Sequence, residues 1–448
     1  MVGIGSRFGD RSTNDQLVST KINDIKKIPS ARWAGLDKDV ELLKELGLDP
    51  TDIPKGRFTS EILVDHMKYG YSLKNDNAPA FRDMLLTEVA LKAYKDSGLE
   101  SKNVAVIVAS DVDEMAFHFL NRKVTHQNIK NAIENSSLEL SLEQDAELYN
   151  FVMNSLYNSA SPDNYLGTIP CISSSNISSK LGLKGPSFRV CANEQSVFNT
   201  LKLASFLLSN SDLDAVIIGA YSLSGDLESV VKRQKLRELK AIKSKHHNIL
   251  EGAGALVLVS SDKSSQKRVY CEIEALSSKN NNSKKELSQL VESVVSNSLE
   301  MANIAPSQLA KITMTSAGDS MLDKEFDSLQ KAYSQCSGIV EKSDHKKAWN
   351  PMLSPLESFI KEALYLDSSL DRRSIKNLLE KNSTRVALST RMDDFSYSHI
   401  LLKSVNSSDD FKAQYNLHKS IVVLNARSKQ ELYERMDDLS AKLEKITH

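Results

Sequence analysis

Residues 82–111, RDMLLTEVALKAYKDSGLESKNVAVIVASD, constrain the fold more than any other stretch. Leu85, Leu86, Val89, Ala90, Ala93 and Tyr94 recur at helical spacing, and Gly98 supplies the stop. Val104–Ala109 then carries no polar side chain. A strand that is apolar on both faces has to be buried on both, so a helix feeding it predicts layered α/β architecture.

The same grammar runs along most of the chain. SFRVCANEQSVFNTLKLAS (187–205) reads as strand, sharp turn and helix. LDAVIIGAYS (213–222) and EGAGALVLVSSD (251–262) read as strands, and LESVVKRQKLRELKAIKSKHH (227–247) as a basic helix. Asp37–Leu46 reads as a helix with Val40, Leu43 and Leu46 on one face. A hydrophilic stretch, SSKNNNSKKELS (277–288), predicts a loop between two halves. Beyond it the grammar repeats. Residues 285–304 and 354–366 are helical, and 311–314, 384–392 and 398–405 are strands. The two runs predict a duplicated βαβ body. Residues from about 114 to 164 are polar and helical, and predict an inserted subdomain. Residues 406–448 predict a strand followed by a charged helix.

Composition narrows the class. The formal charge of −1 gives no reason to expect a nucleic-acid or membrane-surface partner. No apolar run approaches the ~20 residues of a membrane span, and MVGIGSRFGD is not a signal peptide. Cys171, Cys191, Cys271 and Cys336 lack metal-ligand spacing. A cytoplasmic protein with reduced thiols is expected. Asp393-Asp394 is a lone acidic pair, so no metal is assigned, and no cofactor is expected.

The 187–205 turn is the candidate site. A strand–turn–helix elbow often exposes one residue for chemistry, with the helix N-terminus behind it. Cys191, Ala192, Asn193, Glu194 and Gln195 occupy the turn. Cys191 is expected as a small buried residue, not a reactive thiol. Gly252 and Gly254 are expected to permit close backbone packing.

Several elements, in order, resemble the β-ketoacyl synthases. They are VGIGSRFG (2–9), PSARW (29–33), LLTEVALKAYKDSGL (85–99), NISSKLGLKGPSF (176–188) and EGAGALVLV (251–259). MDDFSYSHILL (392–402) falls where the family carries its Gly-rich gate. The resemblance implies a thiolase-like fold of five layers, αβαβα, with a helical insertion. It places an N-terminal half at 1–262, a C-terminal half at 263–405 and a linker at 406–448.

Counting from Gly185-Pro186-Ser187 aligns Glu194 with the family's nucleophilic cysteine, three residues after Cys191. A thiolate holds the acyl chain as a thioester, which a carboxylate cannot do as a transferable group. Thr315 and Trp349 fall at the two catalytic histidine positions, and His345 lies four residues early. Met392, Asp393, Asp394 and Phe395 replace the gate glycines, and His399 matches a structural histidine. Only 17 glycines fit that loss.

This pattern resembles chain-length factors, most closely those of polyunsaturated fatty acid and polyketide synthases. There such domains often precede an acyltransferase in a longer polypeptide, so an excised domain and a separate subunit are both open. The resemblance implies a subunit inactive alone that pairs with an active ketosynthase. It shapes the acyl pocket and meets an acyl carrier protein with its phosphopantetheine arm. Glu194, Gln195, Ser196 and Phe198, with Met392, Asp393 and Phe395, are the expected pocket and interface residues. Two alternatives stay open: a malonyl-thioester decarboxylase with Glu194 at its centre, and a silent homodimeric scaffold. The basic helix is either a solvated face or a carrier-protein contact.

Overall fold

The computed structural model describes residues 1–19, 24–29, 33, 36–51, 53–59, 81–110, 114–136, 138, 140–154, 171–239, 248–264, 268–280, 286–315, 322–334, 339–342, 348–372, 384–393, 396–405 and 433. Its strands are β1 (Gly3–Phe8), β2 (Lys26–Lys27), β3 (Lys55–Arg57), β4 (Val104–Ala109), β5 (Ser187–Val190), β6 (Ala215–Ser222), β7 (Ile249–Leu250) and β8 (Gly252–Leu258). They continue as β9 (Glu272–Asn280), β10 (Lys311–Met314), β11 (Ile339–Lys342), β12 (Arg385–Asp393) and β13 (Ser396–Lys403). The helices are α1 (Asn14–Val18), α2 (Val40–Glu45), α3 (Phe81–Asp96), α4 (Glu114–Asn135), α5 (Leu142–Asn154) and α6 (Ile172–Leu181). They continue as α7 (Ser196–Asn210), α8 (Leu227–Leu239), α9 (Leu287–Ala302), α10 (Leu322–Ala332) and α11 (Leu353–Arg372).

Two five-stranded sheets share one topology. The first runs β5-β4-β6-β8-β1 and the second β11-β10-β12-β13-β9. In each, the first three strands are parallel and the last two antiparallel. In chain order within each half, both sheets read third-second-fourth-fifth-first. This is a duplication at the level of topology.

Side-chain alternation sorts the layers. Val104, Val106 and Val108 of β4 face a cluster with Leu85, Leu86, Val89 and Ile177 of α3 and α6. Ala105, Ile107 and Ala109 face the opposite cluster, with Phe198 and Leu201 of α7 and Leu356, Phe359 and Ile360 of α11. Val386, Leu388, Ile400 and Leu402 of the second sheet face that same central cluster. Ala387, Tyr397 and Leu401 face outward, onto Leu290, Val291 and Val294 of α9 and Leu329 of α10. The result is five layers, αβαβα, with α7 and α11 in the middle. A six-residue apolar run such as β4 is what burial between two helical layers requires.

Helix ends follow the sequence signals. α3 stops at Gly98, with φ of 59°, and α6 at Gly182, with φ of 62°. α9 ends at Asn303, which takes the left-handed conformation itself, with φ of 51°. Gly252 has φ of 145°, and a Cβ there would meet the Arg7 carbonyl oxygen at 2.2 Å. A Cβ on Gly254 would meet Leu356 Cδ2 at 2.8 Å, so both glycines permit the close packing expected of them.

One expected boundary moves. Ser277–Asn280, read as the start of an inter-half loop, is the end of β9. Ser277 pairs with His399 and Ser278 with Ser398, so polar residues there complete a sheet edge. The turn between the sheets comes earlier, between Leu258 and Glu272. A small sheet, β2-β3-β7, was not expected from the sequence. α4 and α5 of the insertion pack on each other, with Lys130 Nζ 2.7 Å from Asp145 Oδ2. The expected strand and helix of 406–448 lie outside the described residues, apart from Tyr433.

Candidate functional site

β5 ends at Val190, and the chain turns through Cys191 and Ala192 into a single 3-10 turn, Asn193–Gln195, before α7 begins. Ser196 fixes the bend. Its hydroxyl accepts from Ala192 N at 2.9 Å and donates to the Ser110 carbonyl at 3.5 Å. Gln195 N closes the turn on Ala192 O at 3.0 Å. Val197, Phe198, Leu201 and Ala204 then anchor α7 in the central core. Glu194 is half-buried at the entry to the helix, where the dipole favours a carboxylate. Ser196 and Phe198 are buried behind the turn, while Gln195 is half-buried.

Cys191 does not take the buried place expected of it: it is exposed. It directly follows β5, the outermost strand of the first sheet among the described residues. Cys171 is also exposed, whereas Cys271 is buried, which pushes its thiol up to about 11.

The opposite wall comes from the second half. The Asn193–Gln195 turn lies against β12, whose end bulges at Met392, between the paired residues Arg391 and Asp393. Asp394, Phe395 and His345 lie outside the described residues. Thr315 follows β10 and donates its N–H to Ser389 O of β12 at 2.8 Å. It is fully buried.

His399 sits on the outward face of β13, as a structural histidine. Its Nδ1 is 2.6 Å from Ser389 Oγ and its Nε2 2.6 Å from Tyr333 Oη. Burial lowers its pKa to about 3, so the ring is neutral and both nitrogens are engaged.

The sequence of residues 1–262 matches the family model for the β-ketoacyl synthase N-terminal domain. The chain belongs to the β-ketoacyl synthase family. A polyunsaturated fatty acid synthase polypeptide from Thraustochytrium sp. (strain ATCC 26185 / S-3) is 24% identical over 290 residues, covering 62% of this chain and 14% of that protein. A PfaC keto synthase-chain length factor superposes with a TM-score of 0.77 at 24% identity, over 91% of this chain and 43% of that one. The ishigamide ketosynthase/chain length factor gives 0.61 at 9% identity, over 91% and 99%. The chain thus spans less than half the length of the first two relatives. Among the described residues, no helix is long and apolar enough to cross a membrane.

In this ketosynthase fold the elbow has a counterpart in the second half, at the turn from β11 into α11. Trp349 is buried there. Its backbone N–H donates to Asn248 O at 2.7 Å, and its carbonyl accepts from Leu250 N at 3.2 Å. The next residue, absent from the sequence-based candidates, holds the turn. Asn350 Oδ1 accepts from Met352 N and Leu353 N, both at 3.0 Å, and Nδ2 donates to Ser222 Oγ at 2.8 Å. Each half's turn therefore reaches the fourth strand of the other: Asn193–Gln195 meets β12, and Asn350 meets the end of β6. An Asn three residues before a helix start and followed by Pro is an N-cap signal that could have found it. Asn350→Ala is expected to destabilise the chain by about 1–2 kcal/mol in chemical denaturation, with Asn350→Asp retaining most of the cap.

Chemically, the elbow presents a carboxylate at a helix N-terminus, and the turn that carries it packs against β12 of the second half. The described part of this arrangement offers no thiol at the tip of the turn and no imidazole directed at it.

Proposed function

We propose that this chain is a chain-length-factor-like partner of an active β-ketoacyl synthase in polyunsaturated fatty acid or polyketide synthesis. It shapes the acyl pocket while the partner carries the acyl thioester. Glu194, Thr315 and Trp349 stand where nucleophile and histidines would be, and Glu194 fills the elbow without reacting. The acyl carrier protein, with its phosphopantetheine arm, is the expected delivery partner. Lys232 and Lys235 of the basic helix α8 can meet its acidic surface.

One observation carries the pairing. Among the described residues, β5 closes one side of the first sheet with no strand beyond it, and all four of its residues are half-exposed. An open edge on an otherwise covered sheet is a template for another chain. The helix that follows carries exposed apolar side chains of its own. Leu203 and Phe206 of α7 are 38% and 62% exposed, at i and i+3 on one side of the helix. A partner laid on β5 and this side of α7 would bring its own elbow close to Glu194.

Co-expression with a ketosynthase that carries cysteine and both histidines tests the reading. A stable heterodimer, with no carbon dioxide released from malonyl-carrier protein by this chain alone, is the expected result. Release by the chain alone that is lost in Glu194→Ala would replace it with the decarboxylase reading. A native mass of two copies, with no capture of the ketosynthase, would replace it with the homodimeric scaffold.

A further inference from the structure

The inner face of the second sheet changes character at the end nearest the elbow. Val386 and Leu388 of β12, and Ile400 and Leu402 of β13, face the central core. Ile312, Met314, Ala387, Tyr397 and Leu401 face the outer helices. Alternation therefore turns Thr390, Ser396 and Ser398 inward, and Thr315 with them. Thr313, two residues before Thr315, confirms the side: its hydroxyl donates to Glu362 of the central helix α11 at 2.8 Å.

These hydroxyls form a row across three neighbouring strands. Thr315 is bonded through its N–H to Ser389 and so stands beside Thr390. Thr390 pairs with Ser398, and Asp393 with Ser396. Thr315, Thr390, Ser396 and Ser398 are all buried. Ser398 Oγ reaches the Thr390 carbonyl at 3.4 Å. Thr315 Oγ1 and Ser396 Oγ have no hydrogen-bond partner among the described residues. The Asn193–Gln195 turn packs against β12, and Gln195 at the head of α7 offers its helix no side-chain cap.

Two unpartnered hydroxyls buried in one row are costly unless something binds them. A hydroxyl both donates and accepts, and neighbouring strands stand roughly 5 Å apart, close to the span of one bridging water. We infer that the Thr315–Thr390–Ser398–Ser396 row binds ordered water, one molecule on Thr315 and one on Ser396. The row makes a hydrated chamber beside the elbow that is closed to an acyl chain. An alkyl chain threaded there would strip the hydroxyls of water and return nothing to them. The inference stands whether or not a ketosynthase partners this chain.

A high-resolution crystal structure of the full chain, soaked with octanoyl-pantetheine, tests it. Density peaks about 2.7–3.2 Å from Thr315 Oγ1 and from Ser396 Oγ are expected, with no alkyl density between them. Thr315→Val keeps the shape and removes the hydroxyl, leaving its water one partner short. The melting midpoint is expected to fall by about 1–3 °C, and likewise in Ser396→Ala. Thr315→Ser, which keeps the hydroxyl, retains the water peak. A midpoint that is unchanged or raised in Thr315→Val means a dry site and overturns the inference. Missing peaks, or octanoyl density along the row, overturn it too.

Discussion

Replacing Arg57 with Met is expected to destabilise the chain by about 3–5 kcal/mol, the usual result of stripping one partner from a buried ion pair. Arg57 at the end of β3 reaches into the central layer, with Nη1 2.9 Å from Glu357 Oε1 and Nη2 2.6 Å from Oε2. Both residues are buried. Lys361 Nζ, one helical turn on, is 2.8 Å from Oε1. Burial alone would push the Glu357 carboxyl upward, but the charges of Lys361 and Arg57, with their hydrogen bonds, overcome it and bring the pKa down to about 2. A carboxyl depressed in the folded state contributes stability above its unfolded value near 4.5 and loses it as pH falls toward 2. The acid limb of the wild-type stability curve should therefore steepen between about pH 4.5 and 2, and flatten in Arg57→Met. The double variant Arg57→Met, Glu357→Leu should recover most of the loss, because Lys361 is partly exposed and tolerates losing its partner. Urea denaturation of the wild type and the two variants decides it. An Arg57→Met chain as stable as wild type would mean that the pair does not tie β3 to α11.

The layers were legible in the sequence because they depend on runs of residue type. β4, β6 and β8 are almost wholly apolar, and α3, α9 and α11 carry clear stripes, so burial dictated them directly. β9 was hidden because EIEALSSKN has only two large apolar side chains, Ile273 and Leu276, and its end pairs through serines. β11 carries two apolar residues before Glu341 and Lys342. Such edges are fixed by their neighbours in the sheet, a tertiary effect that local pattern does not encode. The elbow was legible as a bend, since strand and helix signals abut at 190–196. The exposure of Cys191 was not, because it follows from β5 being an outermost strand. Strand order is not written in any local stretch. The hydroxyl row was hidden for the same reason: Thr315, Thr390, Ser396 and Ser398 come from three segments and meet only through register. The tie from Asn350 to Ser222 spans 128 positions and joins the two halves. Duplication made each half readable alone, and left the cross-half contacts to the structure.

The largest effect on assembly is expected from Phe206→Asp combined with Leu203→Asp. Both side chains stand in solvent in the single chain, so the double variant should fold with stability within about 0.5 kcal/mol of wild type. Neither belongs to the buried clusters that hold α7, which rest on Val197, Phe198, Leu201 and Ala204. A partner covering this side of the helix would instead have to bury two carboxylates without counter-charges. An aromatic anchor at the centre of an interface is commonly worth about 2 kcal/mol or more, so affinity for the ketosynthase should fall by about 30-fold or more. Co-purification should be lost, while the melting curve of the free chain stays in place. Phe151→Asp makes a matched control: it is an equally exposed aromatic, on α5 of the insertion, and it is not on β5 or α7. If Phe151→Asp dissociates the pair and the α7 variant does not, the partner sits on the helical insertion and the edge of β5 is left open in the assembly. The α7 result carries more weight because of geometry. β5, the elbow and α7 are consecutive in the chain, so loss of pairing in the α7 variant would put the partner on the helix that leads out of the Glu194 turn.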